Sequence, residues 1–422
     1  MSDKRHVTVI GAGIVGICAA AFLQQEGFAV TVIDHQEPGR GTSFGNAGSV
    51  SPSAVMPVAL PGMLRKVPSW LMDPLGPLTI RWSYLPIVTP WLIRFLSHAN
   101  RAEAGRVAAA MRSLMVSVFD DYAAILDHGE FGNLIRRDGC LYVYESRAEL
   151  EAARWTIDLR RRLGAEMQEI GGSEIFQLEP ALSRHFQLGI FAPENGRTVD
   201  PYQLVRAIAN RVRMYGGEIL EAEVHDVEIG PEGPAALITS AGRLPVDRLV
   251  LAAGAWSGRL ARKLGASVPL ETQRGYHVTF PDPQIEVRRT VMWNRRSVFV
   301  NPMQPGLRIA GTVELAGLKA APNYARADRL AEIAKQMFPD LNTASPSKWM
   351  GHRPCLPDSL PVIDRSPRFG NVFFAFGHQH VGICSGAPTG RQIARLVAGK
   401  PATIDLSPFS VGRFRNGVAS HR

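Results

Sequence analysis

At 422 residues, 45% hydrophobic and 20% charged, the chain has an ordinary globular composition and enough length for two domains. Its formal charge of +9 is mostly arginine, with seven lysines among 47 basic residues, scattered and without an aromatic–basic reading motif. That argues against nucleic acid as a partner and leaves anionic substrates or a membrane surface as the use of the charge. Cys18, Cys140, Cys355 and Cys384 stand far apart with no CxxC pair, so neither a disulfide framework nor a metal site is expected, and a reducing, cytoplasmic setting fits best.

The N-terminal basic pair Lys4–Arg5 precedes an apolar stretch that Gly11 and Gly13 interrupt, which suits a folded element better than a secretory signal, and no run of 18 apolar residues suggests a spanning helix. His6 to Ile10 predicts a buried parallel strand, Ile14 to Glu26 a helix closed by Gly27, and Ala29 to Ile33 a second buried strand, together one βαβ unit. Residues 52–96 carry prolines at 52, 57, 61, 68, 74, 77, 86 and 90, which forbid a long helix. Yet Trp70, Leu71, Met72, Trp82, Tyr84, Leu85, Trp91, Leu92, Ile93 and Phe95 make the segment strongly apolar, alternating with Arg65, Lys66, Arg81 and Arg94. It is either an excursion packed on the domain or a surface that meets a membrane or a redox partner.

Helices are expected over 102–128 and 147–163, with Arg160-Arg161-Arg162 on a solvated face, and strands over 139–144 and 189–192. A helix over 201–215, a strand over 218–227 and a buried strand over 248–253 follow. This alternation suits an α/β nucleotide-binding domain that leaves and re-enters its own fold.

Gly11-Ala12-Gly13-Ile14-Val15-Gly16 is a GxGxxG that follows a strand and opens a helix. The first glycine permits the tight turn, the second lets a pyrophosphate approach the backbone, and the third allows helix and strand to pack closely, with the phosphates on the helix N-terminus. Asp34, with His35 after it, ends the second strand 23 residues beyond Gly11, where a carboxylate accepts hydrogen bonds from ribose hydroxyls. The small-residue run 41–48 is either a plain loop or a backbone lining for a flat ring or pyrophosphate. A second NAD(P)H-type fingerprint, as a flavin monooxygenase needs, does not follow.

Taken with TSFGNAG (42–48), VLAAGAWS (250–257), RGYH (274–277), KWMGHRPCLPDSLPVID (348–364) and FAFGHQHVG (374–382), the fingerprint resembles the FAD-dependent glycine oxidase and D-amino acid oxidase superfamily over essentially the whole chain. Within it the likeness is to the bacterial D-amino acid dehydrogenase branch, which includes D-hydroxyproline dehydrogenases and glyphosate oxidoreductase. The resemblance implies a Rossmann-like FAD-binding domain (1–52, 196–265 and 346–422) with an interleaved α+β substrate or cap domain (53–195 and 266–345).

It also implies site residues. Gly11, Gly13 and Gly16, with Ala12, Ile14 and Val15 between them, hold the pyrophosphate and Asp34 the ribose. Thr42, Ser43, Asn46, Ala47 and Gly48 lie against phosphates and ring, Val224 against adenine, and Ala253, Gly254 and Trp256 at a second nucleotide contact. Gly377, His378, His380, Val381 and Gly382 reach the flavin's pyrimidine edge, ahead of a helix from about Ala387 to Ala398, and Gly351 is a further cofactor contact. Bound flavin takes a hydride from the substrate Cα, so the protein chiefly orients the substrate.

Arg353 is the expected clamp for the substrate carboxylate, since a guanidinium fork binds a carboxylate with two parallel hydrogen bonds. Tyr276 is expected either as a second substrate contact through its hydroxyl or as a core aromatic. Arg274 and His277 are adjacent candidates, and strand neighbours face opposite ways. His352, His378 and His380 invite assignment as bases, but the related enzymes need no dedicated base, and His380 is expected to touch ring or substrate instead. Cys355 lies too near Asp358 for the covalent linkage of some sarcosine oxidase relatives, so FAD is expected to be non-covalent.

The implied substrates are D-amino acids or cyclic imino acids such as D-proline and cis-4-hydroxy-D-proline, with N-substituted glycines as the alternative. The expected electron acceptor is a quinone or oxygen, and residues 52–96 suggest peripheral contact with the inner face of the cell membrane. The rival from another class is a non-enzymatic FAD-binding regulator, which needs no carboxylate clamp.

Overall fold

The computed structural model describes residues 5–63, 76 and 78–417. Arg65, Lys66, Trp70, Leu71 and Met72 of the proline-rich excursion lie outside the described residues.

Short β-branched runs build one sheet of six strands among the described residues, in the order Glu218–Glu221, Ala29–Asp34, His6–Ile10, Leu249–Leu251, Val372–Phe376 and Val362–Arg365. All pairings are parallel except the last. Val7, Val9, Val32, Val250 and Phe374 are fully buried, which is why these strands are apolar without alternation. Helices Ile14–Gln25 and Gly382–Val397 cross on this sheet at small residues. An added Cβ on Gly390 would lie 2.6 Å from the Cys18 carbonyl carbon and 2.8 Å from the Ala19 nitrogen, so only glycine permits this approach.

A second sheet, of nine strands among the described residues, runs Ser347–Cys355, Glu271–Phe280, Gly306–Leu315, Val298–Met303, Thr290–Trp293, Cys140–Tyr144, Leu188–Ala192 and Gln168–Gly171, with Leu78–Ile80 paired to Gly306–Leu315. Helix Ala325–Met337 closes one face through Leu330, Ala334 and Met337 against Tyr276, Val278 and Ile309. The other face turns toward the six-stranded sheet, and residues 42–48 pass between the two.

Several expectations change. The strand expected over 218–227 is two: Glu218–Glu221 stays in the six-stranded sheet, and Val224–Gly230 opens a separate antiparallel sheet. The helix expected over 102–128 breaks into Arg101–Met115, Val118–Ile125 and His128–Leu134. The first two, assigned to the cap on sequence, share the core of the six-stranded sheet: Tyr122 donates to the Ile383 carbonyl at 2.7 Å and Asp121 pairs with Arg391. Conversely, residues 347–355, assigned to the nucleotide-binding part, hydrogen-bond into the nine-stranded sheet. The C-terminal helix starts at Gly382, five residues earlier than expected, and carries Pro388 inside it. In the proline-rich segment a 13-residue helix, Leu85–Ser97, does form. Pro86 sits in its first turn, where no N–H is needed, and Pro90 on its exposed side, where the carbonyl it frees is open to solvent.

Because Gly390 is at the closest helix–helix approach, Gly390→Ala should force the two helices apart and lower stability by roughly 1–3 kcal/mol. A melting temperature equal to that of the parent would show that the crossing has slack.

Candidate active site

The phosphate end comes first. Gly11 has φ +109, and a Cβ there would lie 2.4 Å from the Ala252 carbonyl oxygen; one on Gly16 would lie 1.9 Å from the Gly11 oxygen. A Cβ on Gly13, by contrast, meets nothing closer than Ser43 Oγ, at 3.4 Å. The first and third glycines are thus required by packing, and the second lines open space, the arrangement a pyrophosphate needs. Ile14 N–H, at the helix start, donates to Ser43 Oγ at 3.0 Å. Gly382 lies beside Ile14, so the N-termini of two helices converge here and favour negative charge. Asp34 accepts from Ala12 N–H at 2.7 Å and pairs with His35 at 3.0 Å, fixing its carboxylate at the end of its strand. Val15 lies in the first turn of the helix. Val224 begins its strand just past Ala222, whose N–H donates to the Asp34 carbonyl. After the strand Leu249–Leu251, Ala253 and Gly254 (φ +52, with open space around it) turn into Trp256, whose ring is 6.4 Å from His35 and 5.4 Å from His352. The residues present fit a dinucleotide of the FAD type.

The loop 42–48 crosses the nine-stranded sheet and is bound along its whole length. Thr42 Oγ1 donates to the His352 carbonyl at 2.9 Å. Arg308 donates to the carbonyls of Phe44 (3.1 Å) and Asn46 (2.8 Å), and Asn301 to that of Ala47 (2.7 Å). His277 Nδ1 meets the Gly45 carbonyl at 3.1 Å and its ring stacks on Trp349 at 5.2 Å. Gly48 (φ +78) takes its N–H to Asn46 Oδ1, and Asn46 Nδ2 reaches the His380 carbonyl. Sequence reasoning missed Arg308, Asn301 and Trp349. Trp349 stands inside the motif run 348–364 without a role having been read for it; no motif marks Arg308 and Asn301, which sit in strands whose register alone brings them to the loop.

Cross-strand pairs sort the candidates on strand 271–280 by face. Gln273 opposes Arg353, Gly275 opposes Gly351, and His277 opposes Trp349, so these share the face toward loop 42–48. Tyr276 and Arg274 point the other way. Tyr276 is therefore corrected from a substrate contact to a core residue: it is 1% exposed, its hydroxyl donates to Glu314 at 2.5 Å, and it accepts from Asn323 N–H at 3.0 Å. Burial and Glu314 push its pKa up to about 12. Arg274 is likewise spent on the carbonyls of Gly317, Ala320 and Ala321.

Arg353 remains on the cleft face, half-buried, with Nη1 donating to the Thr312 carbonyl at 2.9 Å and no carboxylate paired to it among the described residues. Nearby, Gly377 (φ +87) and Gln379 (φ +49) kink the chain so that alternate histidines diverge. His378 turns inward onto Thr389 Oγ1 at 3.0 Å, and His380 turns outward into the cleft, ahead of Val381 and Gly382. His380 keeps solvent access but is crowded by protein. That burial, with the charge of Arg353 beside it, lowers its ring pKa to about 4. Desolvation lowers His277 and His378 to about 3 and His352 to about 4.

A glycine-built dinucleotide cradle facing an arginine on a separate sheet defines the class of flavin-linked oxidoreductases. The chain belongs to the FAD-dependent oxidoreductase family described as "DAO: FAD dependent oxidoreductase", whose model matches residues 6–396, and it is thus an FAD-dependent oxidoreductase. It is 40% identical to a D-amino-acid oxidase of Bradyrhizobium diazoefficiens over 98% of this chain and 100% of that one. It is 32% identical to a D-amino acid dehydrogenase of Paramagnetospirillum magneticum, over 97% and 98%. In fold it matches an L-proline dehydrogenase from P. horikoshii (TM-score 0.76, 18% identity, 99% of each chain) and a glycine oxidase from Geobacillus kaustophilus (TM-score 0.71, 21% identity, 97% and 99%).

Two outcomes are expected. Tyr276→Phe leaves Glu314 and the Asn323 N–H short of a partner, so it should cost roughly 1–3 kcal/mol of stability while leaving substrate KM unchanged; a raised KM would return Tyr276 to the site. The second concerns pH. The four histidines titrate well below the unfolded value of about 6.5, so between about pH 6.5 and 4 the unfolded chain binds more protons than the folded one. Stability should therefore fall as pH drops through that window, and less steeply in His378→Gln, as melting scans across pH would record.

Proposed function

We propose that the enzyme oxidises the C–N bond of a small D-amino or cyclic imino acid, of the D-proline or cis-4-hydroxy-D-proline type, with Arg353 gripping the substrate carboxylate. The observation that carries this reading is a deep guanidinium with no carboxylate partner among the described residues, on the face turned toward the dinucleotide loop. A cation so placed is costly unless an anion joins it, and burial already lowers its pKa. The names of the sequence relatives, a D-amino-acid oxidase and D-amino acid dehydrogenases, support an amino acid as that anion.

When bound, FAD supplies the two-electron acceptor. The protein's part is orientation: Arg353 fixes the carboxylate, and the neutral His380 ring offers a hydrogen bond without adding charge. A base is not required of it, since a substrate amine in its neutral form releases the electrons unaided. Cys355 is buried and its thiol is pushed up to about 12 by desolvation, which makes it a poor nucleophile and supports non-covalent FAD.

The electron acceptor in this reading is a quinone reached from a membrane surface. Trp82, Ile87 and Ile93 are 73%, 67% and 65% exposed around helix Leu85–Ser97, an apolar face suited to a lipid boundary. Among the described residues no helix is long and apolar enough to cross a membrane.

The purified protein should reduce a quinone analogue with D-proline faster than it consumes oxygen. Arg353→Ala should retain FAD and lose roughly 10- to 100-fold in kcat/KM, the worth of a charge-assisted hydrogen bond pair. Unchanged turnover in that variant sinks the clamp, a preference for N-methylated glycines redirects the substrate, and dominant oxygen uptake redirects the acceptor. Acid denaturation should release all of the flavin; colour left in the pellet contradicts non-covalent binding.

A further inference from the structure

The arginine clamp is held by an irregular piece of sheet. Arg274 pairs with Glu314 and Tyr276 with Gly311, so Thr312 and Val313 together oppose the single residue Gly275, a β-bulge. Thr312 takes the extra conformation at φ +58, a left-handed backbone that a β-branched residue rarely adopts, and its hydroxyl is buried without a hydrogen-bond partner among the described residues. What this conformation accomplishes is visible in one contact: the Thr312 carbonyl accepts from Arg353 Nη1 at 2.9 Å. On the other side of the bulge, a Cβ on Gly275 would lie 2.1 Å from Nη2, 2.2 Å from Cζ and 2.6 Å from Nε of Arg353. The guanidinium therefore lies flat on bare backbone at Gly275, with one corner tied to the bulge.

We propose that Gly275 and Thr312 are positioning residues, forming a socket that holds the Arg353 guanidinium in one orientation and leaves its other N–H groups for the substrate carboxylate. This rests on the clamp reading above and adds to it the residues that aim the clamp. A guanidinium on a flexible stem loses several rotamers when it binds; a socket that orders it beforehand removes part of that loss from the binding step. The bulge supplies the acceptor at the cost of local strain, and the glycine supplies the clearance.

A double-mutant cycle tests this, using the FAD-bound enzyme and acetate as a minimal carboxylate, its Kd read from perturbation of the flavin absorbance. Gly275→Ala should weaken acetate binding about ten-fold by displacing the guanidinium, with flavin content unchanged. In the Arg353→Ala background the same substitution should have no further effect, because the group it displaces is gone. Equal losses in both backgrounds make Gly275 merely structural and overturn the socket. Arg353→Ala with unchanged acetate affinity overturns the clamp and the socket together, whereas a loss there with none in Gly275→Ala overturns the socket alone. Should Gly275→Ala fail to fold, the double variant, which lacks the arm that Cβ would strike, must fold and bind FAD; its failure also overturns the proposal. Thr312→Gly adopts φ +58 freely and keeps the carbonyl, so it should hold acetate affinity and melt no lower than the parent; a lost affinity would move the role to the side chain and overturn the carbonyl assignment.

Discussion

The structure depends on a steric constraint: three backbones approach one another where only hydrogen atoms fit. Gly11 lies against the Ala252 carbonyl, Gly16 against Gly11, and Gly390 against the Cys18–Ala19 peptide. These contacts draw the first strand, the helix after it and the C-terminal helix into one cluster, and they bring two helix N-termini side by side. Positive ends of two dipoles then face the same space, and anion binding follows from the packing. Any side chain at these glycines would separate the helices and the anion site in one step.

From that cluster the loop 42–48 reaches across to the second sheet, and a buried cation holds it there. Arg308 is 4% exposed and is satisfied by the carbonyls of Phe44 and Asn46 and the hydroxyl of Thr279, with no ion pair among the described residues. Burial lowers its pKa to about 10, which still leaves it charged at neutral pH. Asp200 favours this charge from a distance without pairing to it, so the carbonyl dipoles must stay in place, and the loop's backbone is specified by the sheet beneath it. The stacked His277–Trp349 pair fills the remaining gap; Trp349 in turn leans on Gly45 and Gly351, where a Cβ would collide with its ring.

How much of this is legible in the sequence follows from the range of the interactions. The first βαβ unit reads plainly because its strands are short apolar runs and its glycines fall at the fixed spacing of a known turn, although the contact that requires Gly11, with Ala252, comes from a distant strand end. Arg353 reads through its motif. The choice between Tyr276 and His277 does not, because one residue of strand register decides which faces the cleft, and that register is set by Gly351 and Trp349 more than seventy residues on. Arg308 and Asn301 are ordinary strand residues until the loop lands on them. The early start of the C-terminal helix is hidden by Gly386 and Pro388, poor helix formers that tertiary packing against Ile14 and Cys18 overrides. Helices 101–115 and 118–125 are amphipathic on sequence, but nothing local says which of two cores their apolar faces join.

The charges around the cleft complete the physical picture. Neither carboxylate of the adjoining strands pairs with Arg353: Glu314 lies on the opposite face with Tyr276 and Arg274, and Glu271, on the same face as Arg353, takes the Tyr84 hydroxyl at 2.9 Å. The cleft face is left with Arg353 and Arg308, and with the converging helix ends across from them. Neither arginine has a paired carboxylate among the described residues, Asp200 acting on Arg308 only from a distance, and fixed dipoles offset only part of the deficit of negative charge. In the proposed reading, a phosphate at the helix ends and a carboxylate at Arg353 would each relieve it locally, and both ligands would stabilise the fold on binding. The same deficit acts as a filter. If Arg353 is the clamp, an anion enters a field arranged for it, whereas a neutral amine lacking a carboxylate leaves the guanidinium uncompensated.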